Sequence, residues 1–183
     1  MLPNHHKMHK TKMKFICFFI VLMTILLDQV TKFLVIEVLF EKHFWNENLF
    51  SQLLYYHQKE LNSFLNIVLV GNKGVSFSFL TASTIWQTWL LIALAALIII
   101  LLVRILWTVN SRFFALSLCL ILGGGIGNII DRIRLHAVID FIDVHYKNWH
   151  FPAFNLADSF ITIGVILMAI YVLFLDQDKN EQQ

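Results

Sequence analysis

Four long apolar runs divide this chain, separated by polar stretches of unequal length. A helix needs about 20 mostly apolar residues to cross the hydrocarbon core of a bilayer. The runs are near that length: Phe15 to Leu39, Ile85 to Leu106, Phe113 to Ile130 and Leu156 to Leu175. The pattern predicts an all-α integral membrane protein with four transmembrane helices. The first run opens as FICFFIVLMTILL, like the apolar core of a signal peptide. No small-x-small cleavage pattern follows, and apolar character resumes after Asp28 in FLVIEVLF, so it reads as a retained span.

The polar stretches organise the rest. Residues 1–14 are basic and read as an unstructured tail, and residues 176–183 as a short hydrophilic one, leaving 15–175 as the membrane domain. Residues 41–83 are too polar to cross lipid and lie at one membrane face. Within them FLNIVLV (64–70) reads as a strand and Gly71-Asn72-Lys73-Gly74 as a turn. Residues 131–154 form a second loop at the same face, with AVIDFID (137–143) as a short extended stretch.

Four spans put both termini on one side. Lys7, Lys10, Lys12, Lys14, Arg104 and Arg112 place that side in the cytoplasm, with Arg132, Arg134 and Lys147 counting against. Composition agrees with lipid as the solvent: 58% of the 183 residues are hydrophobic and 14% charged, with a mean hydropathy of +0.69. A net charge of +2 without a basic-aromatic stripe argues against nucleic acid. Cys17 and Cys119 both sit in apolar runs and read as buried, not as a disulfide framework.

Ionisable residues inside spans mark pairing or function. Asp28 and Lys32 are four apart, in the favourable order for an intrahelical pair. Two readings stay open: a self-neutralised pair near the outer interface, or support for an active site. The run GGGIG (123–127) has neither the GxGxxG spacing nor a P-loop lysine, so it reads as close helix packing. Asn128 follows, on one helical face with Asp131 and Arg132.

Asp140 sits in the extended stretch, and Asp158 at the start of the fourth span with Asn155 as an N-cap. Asp158 at the third helical position is favoured by the helix dipole, so it also reads as a helix-start acid and nothing more. If the two carboxyls share a site they cannot easily both ionise, and one holds a proton near neutral pH. Such a pair activates water with its anion and polarises an amide with its acid, hydrolysing a peptide without a covalent intermediate or a metal. The dipole favours the anion on Asp158 and leaves the proton to Asp140.

Asp28-x-x-x-Lys32, Asn72-x-Gly74-x-x-Phe77, Gly127-Asn128-x-x-Asp131-Arg132, Val138-x-Asp140-Phe141 and Phe154-Asn155-x-Ala157-Asp158 follow one another along the chain. In this order they resemble the motifs of the lipoprotein signal peptidase (signal peptidase II) family. The resemblance implies a bacterial inner-membrane endopeptidase, acting at the outer face as a monomer. It implies cleavage of prolipoproteins just before a diacylglyceryl-modified cysteine, sensitivity to globomycin, and no cofactor. Asp140 and Asp158 become its catalytic pair. Asn72, Gly74, Asn128, Arg132, Asn155, Asp28, Lys32 and Asp131 become substrate-binding or supporting residues. A small extracytoplasmic β-containing cradle and an interfacial helix would fill 41–83. The chain departs from the family at His136, where glycine is usual, at Val75-Ser76, and in a longer stretch between Asp28 and Asn72.

Three rival chemistries remain on the sequence. Asp140, Asp143, His145, His150 and Asp158 can supply metal ligands, but HExxH is missing. Lys73 with Ser76 or Ser78 would make a Ser/Lys peptidase without an oriented base. Embedded charges also mark transporters, but no internal repeat is visible.

Overall fold

The computed structural model describes residues 5–45, 49, 57–74 and 85–175, with side chains in the first helix from Lys12 onward. Helix α1 (His5–Leu34) continues into a π-helical turn (Val35–Leu39). Strands β1 (His57–Asn62) and β2 (Leu65–Asn72) follow, then α2 (Ile85–Thr108), α3 (Arg112–Leu135), β3 (Val138–Tyr146), β4 (Trp149–His150) and α4 (Leu156–Ile170), which ends in a second π-helical turn (Tyr171–Leu175). Four of these helical segments, 12–39, 85–108, 112–135 and 156–175, are long and apolar enough to cross a membrane. Their exposed faces carry Phe, Leu and Ile, as lipid contact requires. The interfacial-helix expectation for the segment before α2, and Phe77, Ser76 and Ser78, lie outside the described residues.

Three sequence expectations need correction. Residues 5–14 are helical, not an unstructured tail. Lys and Met are good helix formers, no glycine or proline intervenes, and the span beyond has already met the cost of nucleation. Second, α3 does not stop at Ile130 but runs to Leu135, so Asp131 and Arg132 are helical and the outer loop is largely strand. Polarity there marks the end of the apolar layer, not of the helix, and Arg132 and Arg134 suit its negative dipole end. Third, Gly71 and Asn72 belong to β2, paired with Ile139 and Val138. The turn comes after them, where the Gly74 N–H donates to Asn72 Oδ1 at 3.0 Å.

The sheet is antiparallel with the order β1-β2-β3-β4. A core of Ile36, Phe44, Leu49, Leu69, Leu135 and Ile139 fastens it to the ends of α1 and α3. In the bundle α3 is central, packed by α1, α2 and α4. The glycine run makes this possible. A Cβ on Gly123 would stand 2.5 Å from Thr24 Cβ of α1, and one on Gly127 2.5 Å from Asp28 Oδ2. One on Gly124 would overlap the Ala157 carbonyl oxygen of α4.

Candidate active site

The register of the sheet places the first acid. Asp140 of β3 faces Val70 of β2, so Asn72, two residues along β2, is its diagonal neighbour on the same face. The Asn72 side chain donates to Asp140 Oδ2 at 2.9 Å. Phe154 then bridges to Ile142 of β3, with backbone bonds of 2.8 and 3.0 Å, and sets the next residue, Asn155, against Asp140. Asn155 Nδ2 donates to Asp140 Oδ1 at 2.8 Å.

Asn155 also starts α4. Its Oδ1 accepts the Asp158 N–H at 2.9 Å, and Asp158 Oδ2 accepts the Asn155 N–H at 3.3 Å, forming a reciprocal capping box. Asp158 Oδ1 takes a further bond of 2.8 Å from Asn128 Nδ2 of α3. One asparagine side chain is thus bonded to both acid-bearing units. Each of the four carboxylate oxygens has one fixed N–H donor and keeps a second acceptor position. Asp140 is 2% exposed, whereas Asp158 is only partly buried. Burial, and then the Asp158 charge, push the Asp140 carboxyl up to about 7. The Arg132 guanidinium lies within electrostatic reach of Asp140, Asp158 and Asp131, and its Nη1 reaches the Asn128 carbonyl at 3.5 Å.

Beneath this layer Lys32 answers the question that the sequence left open. It does not serve Asp28 alone: its ammonium lies 2.8 Å from Asp28 Oδ2 and 2.7 Å from Asp131 Oδ2, all three side chains fully buried. Asp28 Oδ1 accepts the Ala157 N–H at 3.0 Å, a second cap on α4. Asp131 Oδ2 accepts the Ile139 N–H at 3.2 Å, next to Asp140. One carboxylate therefore holds the helix that carries Asp158 and the other the strand that carries Asp140. Removing one member of such a buried group costs about 3–5 kcal/mol, because the others are left as uncompensated charge.

Sequence reading missed Gln29. Its Nε2 lies 3.1 Å from both Asp28 Oδ2 and Asp131 Oδ1, inside the same network. A polar residue within a span was the available signal. Asp143 and His150 pair with each other at 2.9 Å, and Asn66 also donates to Asp143, so this cluster stands apart from the two acids. Among the described residues no three His, Cys, Asp or Glu side chains are grouped to hold a metal.

A family description for signal peptidase (SPase) II matches residues 20–174. The chain belongs to the signal peptidase II family. Lipoprotein signal peptidases of Burkholderia vietnamiensis and Burkholderia multivorans are each 44% identical to it over 150 residues, which is 80% of this chain and 81% of theirs. Two solved structures of bacterial membrane enzymes superpose with a TM-score of 0.66 at 28% identity. One match covers 90% of both chains, the other 87% of this chain and 93% of its own. A signal peptidase II is a protease, which sets aside the transporter reading, and its four spans make this one a multi-pass bacterial membrane protein.

Proposed function

We propose that this signal peptidase II removes signal peptides from prolipoproteins, cutting before a diacylglyceryl-modified cysteine, with Asp140 and Asp158 as an aspartic pair. The observation that carries this reading is Asn155, whose amide bonds Asp140 while its cap fixes Asp158. A carboxyl held at about 7 is suited to keep its proton at the working pH beside a second, more exposed acid.

In the cycle Asp158, at the positive end of α4, takes a proton from a water held between the carboxyls. The water oxygen adds to the amide carbon while the Asp140 proton polarises the carbonyl oxygen. Collapse passes one proton to the leaving nitrogen, so one water is added across the C–N bond. The mechanism needs no metal or other cofactor. Arg132 is placed to donate to a substrate carbonyl, and the turn at Asn72 and Gly74 to border the bound segment. The active site faces the outer side, both termini are cytoplasmic, and the protein acts as a monomer on substrates whose lipid tails stay in the bilayer.

The test is purified full-length protein with lipid-modified prolipoprotein. Asp140→Asn and Asp158→Asn should each lower processing by about 10²–10⁴-fold, the usual worth of a positioned acid or base. Full processing by either variant overturns the assignment.

A further inference from the structure

At the end of the bundle remote from the acids, α1 and α2 do not close on each other. A cavity of about 240 Å³ lies between them with α3 behind it, its walls including Cys17, Val21, Val103, Leu106 and Leu122. Lys14 and Trp107 also line it, and the Lys14 ammonium stands 4.0 Å from the Trp107 ring centroid, a cation resting on an indole face. Lys14 precedes Asp28 by 14 residues, or about 21 Å of helix. The cavity is therefore separate from the proposed active site.

Charge around this end is one-sided. Neither residues 1–27 nor 61–130 contain an acid, while Lys12, Lys14, Arg104 and Arg112 lie there. Asp176, Asp178 and Glu181 share this end in sequence but lie outside the described residues. The walls are apolar and the rim is cationic and aromatic. The space is too small for another helix, which is about 10 Å across. A free anion would leave the apolar walls unfilled.

We infer that this groove is a binding site for one anionic phospholipid of the adjoining leaflet, an acyl chain lying between α1 and α2 and the phosphate held at Lys14. Aliphatic walls recognise the chain by contact and the ammonium recognises the headgroup. The anionic class is preferred because no described carboxylate stands by to receive the amine of a zwitterionic head.

Native mass spectrometry of the full chain, titrated with phosphatidylglycerol, with phosphatidylcholine of matched chains, and with inorganic phosphate, tests this. One phosphatidylglycerol should be retained about fivefold better than phosphatidylcholine, the worth of one lysine near a charged headgroup, and inorganic phosphate should not be retained. Lys14→Gln should erase the preference, and Val21→Phe, which fills the groove, should lower retention of both lipids. Arg104→Gln, at the same end but outside the groove, should keep the preference. Equal retention of the two lipids by the native chain, retention of phosphate alone, or unchanged phosphatidylglycerol retention in both Lys14→Gln and Val21→Phe would overturn the site.

Discussion

Asp140 has its elevated pKa because it is buried and because Asp158 is near, and it is held back by donors from Asn72 and Asn155. A donor to the carboxylate favours the anion, so its loss raises the pKa further. Activity that needs Asp140 protonated falls as pH rises through its pKa. Asn72→Ala should therefore move the alkaline limb of the kcat/KM profile upward from near 7; a limb that moves down would contradict this use of Asp140. His136 is a second single-residue matter. It ends α3 in the left-handed conformation, φ 56° and ψ 16°, with its N–H bonded to the Arg132 carbonyl. This left-handed turn is made with an L residue, at a cost of about 1–2 kcal/mol relative to glycine. His136→Gly should raise stability by up to about 1 kcal/mol, after glycine's own entropy is set against that strain, and leave processing unchanged. Thermal melting in detergent reads the first and a processing assay the second. The capping box at Asn155 was legible from FNLAD alone, because capping is local chemistry. That the same asparagine also bonds Asp140 was not, since the bond depends on the Phe154 bridge to β3.

At the scale of elements, the position of α3 decides the site. Its glycines bring α1 and α4 close enough for Asp28 to cap α4 and for Lys32 to reach Asp131. Gly124 and Gly125 are adjacent in sequence but face different neighbours. A Cβ on Gly124 meets backbone of α4, which cannot move aside without carrying Asp158, whereas one on Gly125 would lie 3.6 Å from the end of the Ile99 side chain. Gly124→Ala should cost about 1–3 kcal/mol of stability, the usual cost of overpacking, and most of the activity; Gly125→Ala should be nearly silent in both. Melting and processing of the two variants side by side check this, and equal effects would show that α4 does not seat as tightly as Gly124 implies. The sequence marked GGGIG as a packing run by its small residues. Which glycine meets which helix is fixed only by the rotation of α3 within the bundle.

At the scale of the whole molecule, the four spans and the sheet put Lys147, in the β3–β4 turn, and Asn110, between α2 and α3, at opposite ends. In the proposed topology, which has both termini cytoplasmic, a cysteine at Lys147→Cys should be labelled by a membrane-impermeant maleimide in intact cells, and one at Asn110→Cys only after the membrane is opened. Native Cys17 and Cys119 are buried and should give little background. The reverse labelling pattern would invert the topology and place the acids on the cytoplasmic side.

The sequence by itself determined the number of spans, the two acids as candidates for a pair, and the Asn155 cap ahead of Asp158. Each of these rests on hydrophobic length, motif spacing or chemistry within a few residues. Only the tertiary structure decided that Lys32 is shared between Asp28 and Asp131, that Asn72 and Asn155 grip Asp140, and that Gln29 joins the buried network. Apart from Lys32–Asp28, which are neighbours on one helix, those contacts join residues from 15 to 102 positions apart. Their partners are chosen by strand register and by how closely helix backbones approach, and neither is written in any local stretch of chain.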